Sequence, residues 1–395
     1  MLPHLRNITL IGVIVLIIGS IVFIQSAKTR PTVLEGTSDI RIESINPESN
    51  SASSSEEKII LPSSQTLTVK KTTYPRAKEF VAPSGYSNTD PFLLKDVIGK
   101  KVILLDFWTY SCINCQRTIP YLNDWYAKYK DKGLVVIGVH TPEFDFEKQK
   151  DNVDRAIQKF GIFYPIVLDN AYGTWSAYKN RYWPHEYLID IDGFIVHDHI
   201  GEGGYAETET QIQKLLMERA VRLGADKNVV LPITPPKNLI AFDPTKRISP
   251  ETYFGAARNT YLSGGIAQKE GQQTLEIPAS PAKDTLYLGG GWLFVSEYAQ
   301  NMMENATIAY RYTAQNVYMV LGAPKTIRIK VLRDGKPLEQ SAAGKDIRFE
   351  KGESVFYVNE ERLYDIVGDQ AGYGTHTLEF TIPSAGLQAF TFTFG

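Results

Sequence analysis

With 395 residues, the chain exceeds the roughly 250–300 residues at which single hydrophobic cores stop growing, so two or three folding units are expected. A hydrophobic share of 43% is that of a globular protein; a formal net charge of −2, with no Lys/Arg run interleaved with aromatics, argues against a nucleic-acid partner. Only two cysteines occur, Cys112 and Cys115, which excludes a structural disulfide framework: a bridge closing so short a loop barely constrains the unfolded chain.

In chain order, residues 1–27 read as a membrane anchor. Ile8 to Ile24 is a 17-residue run without charge, which as a helix covers about 26 Å of a bilayer core of ~30 Å. Gln25-Ser-Ala27 is a poor cleavage match and no cysteine follows to accept a lipid, so an uncleaved transmembrane helix is expected. Arg6 precedes the run and Lys28 and Arg30 follow it, so charge does not set its orientation. The N-terminus is too short to be a domain, which places the rest of the chain outside the cytoplasm. Residues 28–73 then lose all pattern. The stretch Glu48–Glu57 is half serine and cannot offset its ordering entropy, so a flexible tether reaching about 35–40 Å is expected.

Residues 74–223 alternate strand and helix. Val102–Trp108, Leu134–Val139 and Ile166–Leu168 are short continuous apolar runs, the pattern of strands buried on both faces. Helices are predicted from Cys112 to Tyr126, over Lys148–Phe160, around Tyr172–Lys179 and over Thr208–Arg222. A hairpin is predicted over Glu186–Val196, turning at Asp192-Gly193. The whole is an α/β domain. A connector with Pro232, Pro235 and Pro236 falls in 224–240. Beyond it, in 241–395, Thr326–Val331, Thr377–Ile382 and Phe390–Phe394 alternate with period two. An all-β antiparallel sandwich is expected there.

Cys112-Ile-Asn-Cys115 sits where a buried strand turns into a helix. Only the thiolate attacks a disulfide, and a helix N-terminus stabilises that anion. The first cysteine should be exposed; the second, one turn on, should be buried and within reach to resolve a mixed disulfide. Half a zinc site would show the same spacing, but zinc needs four ligands and neither a second CxxC nor a paired-His motif occurs. The spacing therefore favours redox chemistry over metal binding, with the Cys112–Cys115 disulfide as the redox group and no added cofactor.

The stretch Asp106-Phe-Trp-Thr-Tyr-Ser-Cys-Ile-Asn-Cys-Gln-Arg-Thr-Ile-Pro120 resembles the active site of the thioredoxin superfamily. The segment 74–223 is similar to its extracytoplasmic, redoxin or TlpA-like branch, which includes the cytochrome-maturation reductases. More narrowly, Trp108–Arg117, His140–Phe144 and Asn180–Asp190 resemble the C-terminal region of DipZ proteins. There a thioredoxin-like domain precedes a sandwich of the jelly-roll, carbohydrate-binding-module type. Those proteins often begin with a multi-span electron-transfer domain, whereas this sequence has one candidate span.

The resemblance implies roles. Cys112 and Cys115 would be the catalytic dithiol. Asp106 would be the buried acid beneath Cys115, its pKa raised so that it takes the thiol proton. Glu143 would be a second proton-handling acid. Trp108, Trp183 and Pro184 would line the substrate groove, with Pro184 in the cis form and Trp183 offering its backbone to an extended substrate. His140 and His185 flank the region and read more simply as packed or solvent-facing imidazoles. The implied partners are protein disulfides and a separate membrane electron donor of the DsbD or CcdA type. Reduction is the implied direction.

Two rivals stand beside this. Thr109-Tyr-Ser-Cys112 also fits the Thr-x-x-Cys pattern of peroxiredoxins, where a Thr and an Arg activate a peroxidatic cysteine. The sandwich could instead bind glycan by stacking sugar rings on Trp292, Tyr298, Tyr364 or Tyr373, although core aromatics look the same in sequence.

Overall fold

The computed structural model describes residues 64–237, 239–240 and 243–395. The anchor expected over 1–27 and the tether from 28 to 63 lie outside the described residues. Among the described residues, no helix is long and apolar enough to cross a membrane. The last ten residues assigned to the tether form a helix, α1 (Ser64–Thr73). Lys70 explains its docking: the ammonium lies 2.8 Å from Asp190, 3.1 Å from Asp192 and 2.6 Å from Glu218.

A six-stranded sheet follows, with β1 (Gly85–Ser87), β2 (Val102–Trp108), β3 (Leu134–His140), β4 (Ile166–Leu168), β5 (His185–Ile189) and β6 (Ile195–Ile200). Their order is β1-β4-β3-β2-β5-β6, with β2, β3 and β4 parallel and the rest antiparallel. Helices α2 (Ile113–Tyr129), α3 (Lys150–Phe160), α4 (Gly173–Ala177) and α5 (Tyr205–Leu223) complete the unit. Every residue of β2 is buried, because each face of the sheet is covered. Leu104, Trp108 and Leu188 pack with Ile119, Leu122 and Trp125 of α2 and Ile212 and Leu216 of α5. On the other face Ile103, Leu105, Phe107 and Ile189 meet Phe80, Leu94 and Tyr178.

The connector expected over 224–240 is not a free linker at its start. Val229 is fully buried in the α2/α5 core, and Gln213 Nε2 donates to the Leu231 carbonyl at 2.7 Å. Apolar Val229 and Leu231 dock this stretch, a signal its prolines concealed.

The C-terminal unit is a two-layer, almost wholly antiparallel sandwich. Strand Leu286–Phe294 belongs to both layers: its first half pairs with Ala306–Ala314 and its second with Gly271–Leu275. Strands that change sheet need a sharp bend. Gly289-Gly-Gly291 supplies it, with Gly290 at φ 93°, a left-handed conformation that side chains disfavour. Trp292, Tyr310, Tyr364, Phe380 and Phe392 fill the space between the layers.

Ile113 and Phe144 of the α/β unit pack against Tyr318, Val320, Leu363 and Phe390 of the sandwich. The Phe390 ring lies 5.0 Å from that of Phe144 and 4.9 Å from that of Phe146. Ile113, the residue after the first cysteine, is thus covered by the second domain.

Candidate active site

The buried run of β2 ends at Trp108, and Thr109–Ser111 turn the chain into α2. Cys112 is the N-cap of that helix, with extended φ −79° and ψ 120°, and its carbonyl accepts from Gln116 N at 3.0 Å. The helix N-terminus therefore lies beneath the partly exposed Cys112. Cys115 is buried, and both thiols are free. Burial first, then the neighbouring Cys112 and Asp106, push the Cys115 thiol well above its ordinary pKa. Asp106 is 1% exposed, and burial raises its carboxyl from 3.8 to about 8. Its Oδ1 has no hydrogen-bond partner. A carboxyl shifted so far exchanges its proton near neutral pH, and in its ionised form it can take the proton of the neighbouring thiol.

The segment before Cys112 is clamped by Glu147, which is fully buried. Its carboxylate accepts from Ser111 N at 3.2 Å, Ser111 Oγ at 2.6 Å, Glu143 N at 2.5 Å and Phe144 N at 3.1 Å. Burial raises its pKa to about 7, against the pull of the Ser111 and Thr109 hydroxyls. The opposite wall is Trp183, whose peptide bond to Pro184 is cis. Its carbonyl lies 3.9 Å from Cys112 Sγ, and its indole nitrogen donates to the Thr141 carbonyl at 3.0 Å.

Cys112 opens into a cleft of about 250 Å³ with walls from both domains. Glu143, expected to handle protons, is engaged by the sandwich. Arg258 Nη1 lies 2.7 Å from its Oε1 and the Tyr253 hydroxyl 2.9 Å from the same atom. The Arg258 guanidinium lies over the Tyr253 ring at 3.7 Å. Glu251, 2.8 Å from the Tyr253 hydroxyl, is raised to about 7 by burial and by Glu143.

Trp108 does not line the groove. It is fully buried in the α2 core, edge-on to His140 at 5.1 Å, because β2 is covered on both faces. His140 is fully buried, and burial lowers its pKa to about 3; a neutral ring stacked on Tyr110 is a packed histidine. His185 is likewise buried, between Asn180 and Asp198. Thr109 is fully buried with its hydroxyl 3.4 Å from His140 Nε2, while Arg117 is paired with Glu202 at 3.0 Å. In the sandwich, Trp292 and Tyr364 are core residues, Tyr298 packs on Phe390, and the Tyr373 hydroxyl meets Asp243. Sequence reasoning missed Glu147, Tyr253, Arg258 and Glu251. Glu147 lies 35 positions after Cys112 and follows no motif, and the sandwich residues lie over 130 positions away.

Two family models match the chain: the AhpC/TSA family over residues 75–198 and the thioredoxin-like C-terminal domain over 249–395. The chain is 41% identical over 315 residues to Protein DipZ of Mycobacterium bovis and of Mycobacterium tuberculosis, covering 79% of this chain and 42% of those proteins. It therefore spans less than half the length of these DipZ relatives. It is 33% identical over 122 residues to the thiol-disulfide oxidoreductase ResA of Bacillus thuringiensis, covering 31% of this chain and 67% of ResA. With a thioredoxin-like fold carrying Cys112 at a helix N-terminus above a buried Cys115, the chain belongs to the thioredoxin-like thiol–disulfide oxidoreductases.

Proposed function

We propose that this oxidoreductase reduces protein disulfides outside the cytoplasm. The observation that carries the reading is the pairing of a partly exposed Cys112 at the N-cap of α2 with a buried Cys115 and a buried, protonatable Asp106. Cys112 thiolate attacks a substrate disulfide, forming a mixed disulfide and releasing one substrate thiolate. Cys115 gives its proton to Asp106 and attacks Cys112 Sγ, which releases the second substrate sulfur and leaves the Cys112–Cys115 disulfide. Trp183, next to cis-Pro184, presents backbone to an extended substrate segment, and the cleft faces of Glu143, Tyr253 and Arg258 form the rest of its wall.

Reducing equivalents come, in this reading, from a separate membrane protein of the DsbD or CcdA type. The apolar run Ile8–Ile24 anchors the chain beside that donor, and 74–223 and 241–395 are the two exported domains. The sandwich is of the carbohydrate-binding-module type but acts as a wall of the redox site, a role supported by the burial of Trp292 and Tyr364. The reduction potential, measured against glutathione, tests the direction. A reductase gives a value below about −200 mV, and one well above it assigns the protein to oxidation or isomerisation.

The AhpC/TSA match favours one second reading, reduction of peroxide at Cys112. Thr109 and Arg117 are turned to His140 and Glu202, which weighs against it. Stopped-flow mixing of the reduced protein with hydrogen peroxide decides: a rate no faster than a free thiol's removes the reading.

A further inference from the structure

Glu186 is a buried ionisable residue that the exchange scheme leaves unused. It lies on β5 at 1% exposure, and neither carboxylate oxygen closes a hydrogen bond. Directly opposite residues of an antiparallel pair project from the same face of a sheet. Glu186 stands opposite Asp106 on β2 and, on its other side, opposite His199 on β6. The three side chains thus form one row across β2, β5 and β6, on the face that packs with α2 and α5. One end of the row lies under Cys115; the other, His199, is half-exposed, with its Nε2 buried and without a partner.

Other groups facing Glu186 bear on its charge. The Thr208 hydroxyl on α5 faces it and lies 3.5 Å from His197 Nε2, while Tyr164 and Tyr205 pack nearby. No cation is paired with Glu186 among the described residues. Burial, and then Asp106, push its carboxyl well above the ordinary range. Two adjacent buried carboxyls do not both ionise readily, so a proton resident on the pair is the favoured state.

We propose that Asp106, Glu186 and His199 form a proton relay carrying the Cys115 proton from the buried thiol to the edge of the sheet. The proposal rests on the reading that Cys115 resolves the mixed disulfide. As the Cys115 S–H bond breaks, its proton passes to Asp106. The sulfur forms the bond to Cys112 Sγ, and the substrate sulfur leaves with the electron pair and takes a proton from water. Asp106 passes its proton to Glu186 while Glu186 passes its own to His199, which releases it to solvent. Both carboxyls return to their starting state, and no further oxidant or reductant enters. Glu186 and His199 act through Asp106, so they are positioning residues for the proton.

The test mixes reduced full-length protein with an aromatic disulfide whose thiolate absorbs visible light. The first thiolate release reports attack by Cys112, and the second reports resolution by Cys115. Glu186→Gln and His199→Gln are each expected to slow the second phase relative to the first by at least about tenfold at pH 7. The dependence of the second phase on deuterium content, curved in the wild type because several protons move, becomes linear in both. His199 is half-exposed, so its variant keeps the test open if Glu186→Gln fails to fold. Wild-type phase ratios in both variants overturn the relay, as does slowing that leaves the curvature intact. Absence of a second phase in the wild type overturns the resolving role of Cys115 itself.

Discussion

Arg258 Nη1 lies 2.7 Å from Glu143 Oε1, an ion pair between residues 115 positions apart that joins the sandwich to the loop beside the redox cysteines. With Tyr253 stacked under the guanidinium, it fixes the far lip of the Cys112 cleft. An accessory domain placed elsewhere would leave Cys112 open to any disulfide. Here access is shaped by two domains at once.

That relationship makes substrate size the variable to probe. Arg258→Ala removes the ion pair and the stacked cation, a loss of about 1 kcal/mol of positioning and roughly a fivefold rise in KM for a protein disulfide such as insulin. Reaction with a small aromatic disulfide, too short to reach the sandwich wall, should change less than twofold. Equal effects on both substrates would show that Arg258 does not shape the groove.

The apolar contact beneath the cleft should be as sensitive. Ile113 is 1% exposed between Phe144 and Phe390. Ile113→Glu places a carboxylate there without a partner, a cost of about 2 kcal/mol or more. Differential scanning calorimetry should then separate the transitions of the two domains and lower the first. An unchanged single transition would contradict a coupled interface.

Stability should also depend on pH through the buried acids. Asp106 titrates at 3.8 ordinarily and at about 8 in the fold, so between these values the native state binds more protons than the unfolded chain. Stability is full below about pH 4 and falls as pH rises to about 8. Glu147 adds a fall of the same sign between 4.5 and about 7. Asp106→Asn, neutral throughout, should raise Tm by roughly 3–6 °C at pH 8 and leave it nearly unchanged at pH 4. Thermal melts across that range check the slope; parallel curves for variant and wild type would contradict the buried-acid assignment.

The redox centre was legible because its signals are local. A continuous apolar run into a helix with CxxC at the junction places both cysteines, and Asp106 lies six residues upstream. The same run also implied that Trp108 is core, since a strand buried on both faces has no side chain free for a groove. The tether reading failed at Ser64–Thr73 because Lys70 finds its carboxylates far along the chain, on the β5–β6 turn and on α5. Composition of a short segment does not register such contacts. Glu186 carried a faint signal, a charge inside an apolar strand. Arg258, Tyr253 and Glu251 carried none: only packing of the sandwich onto Ile113 brings them to Cys112.

Trapping the mixed disulfide tests the central claim most directly. Cys115→Ser, mixed with a disulfide substrate and analysed by intact-mass spectrometry, should hold one substrate half on Cys112, while Cys112→Ser should form no adduct and lose turnover. A Cys112→Ser variant that still turns over substrate, or an adduct that forms on Cys115 instead, would contradict the account.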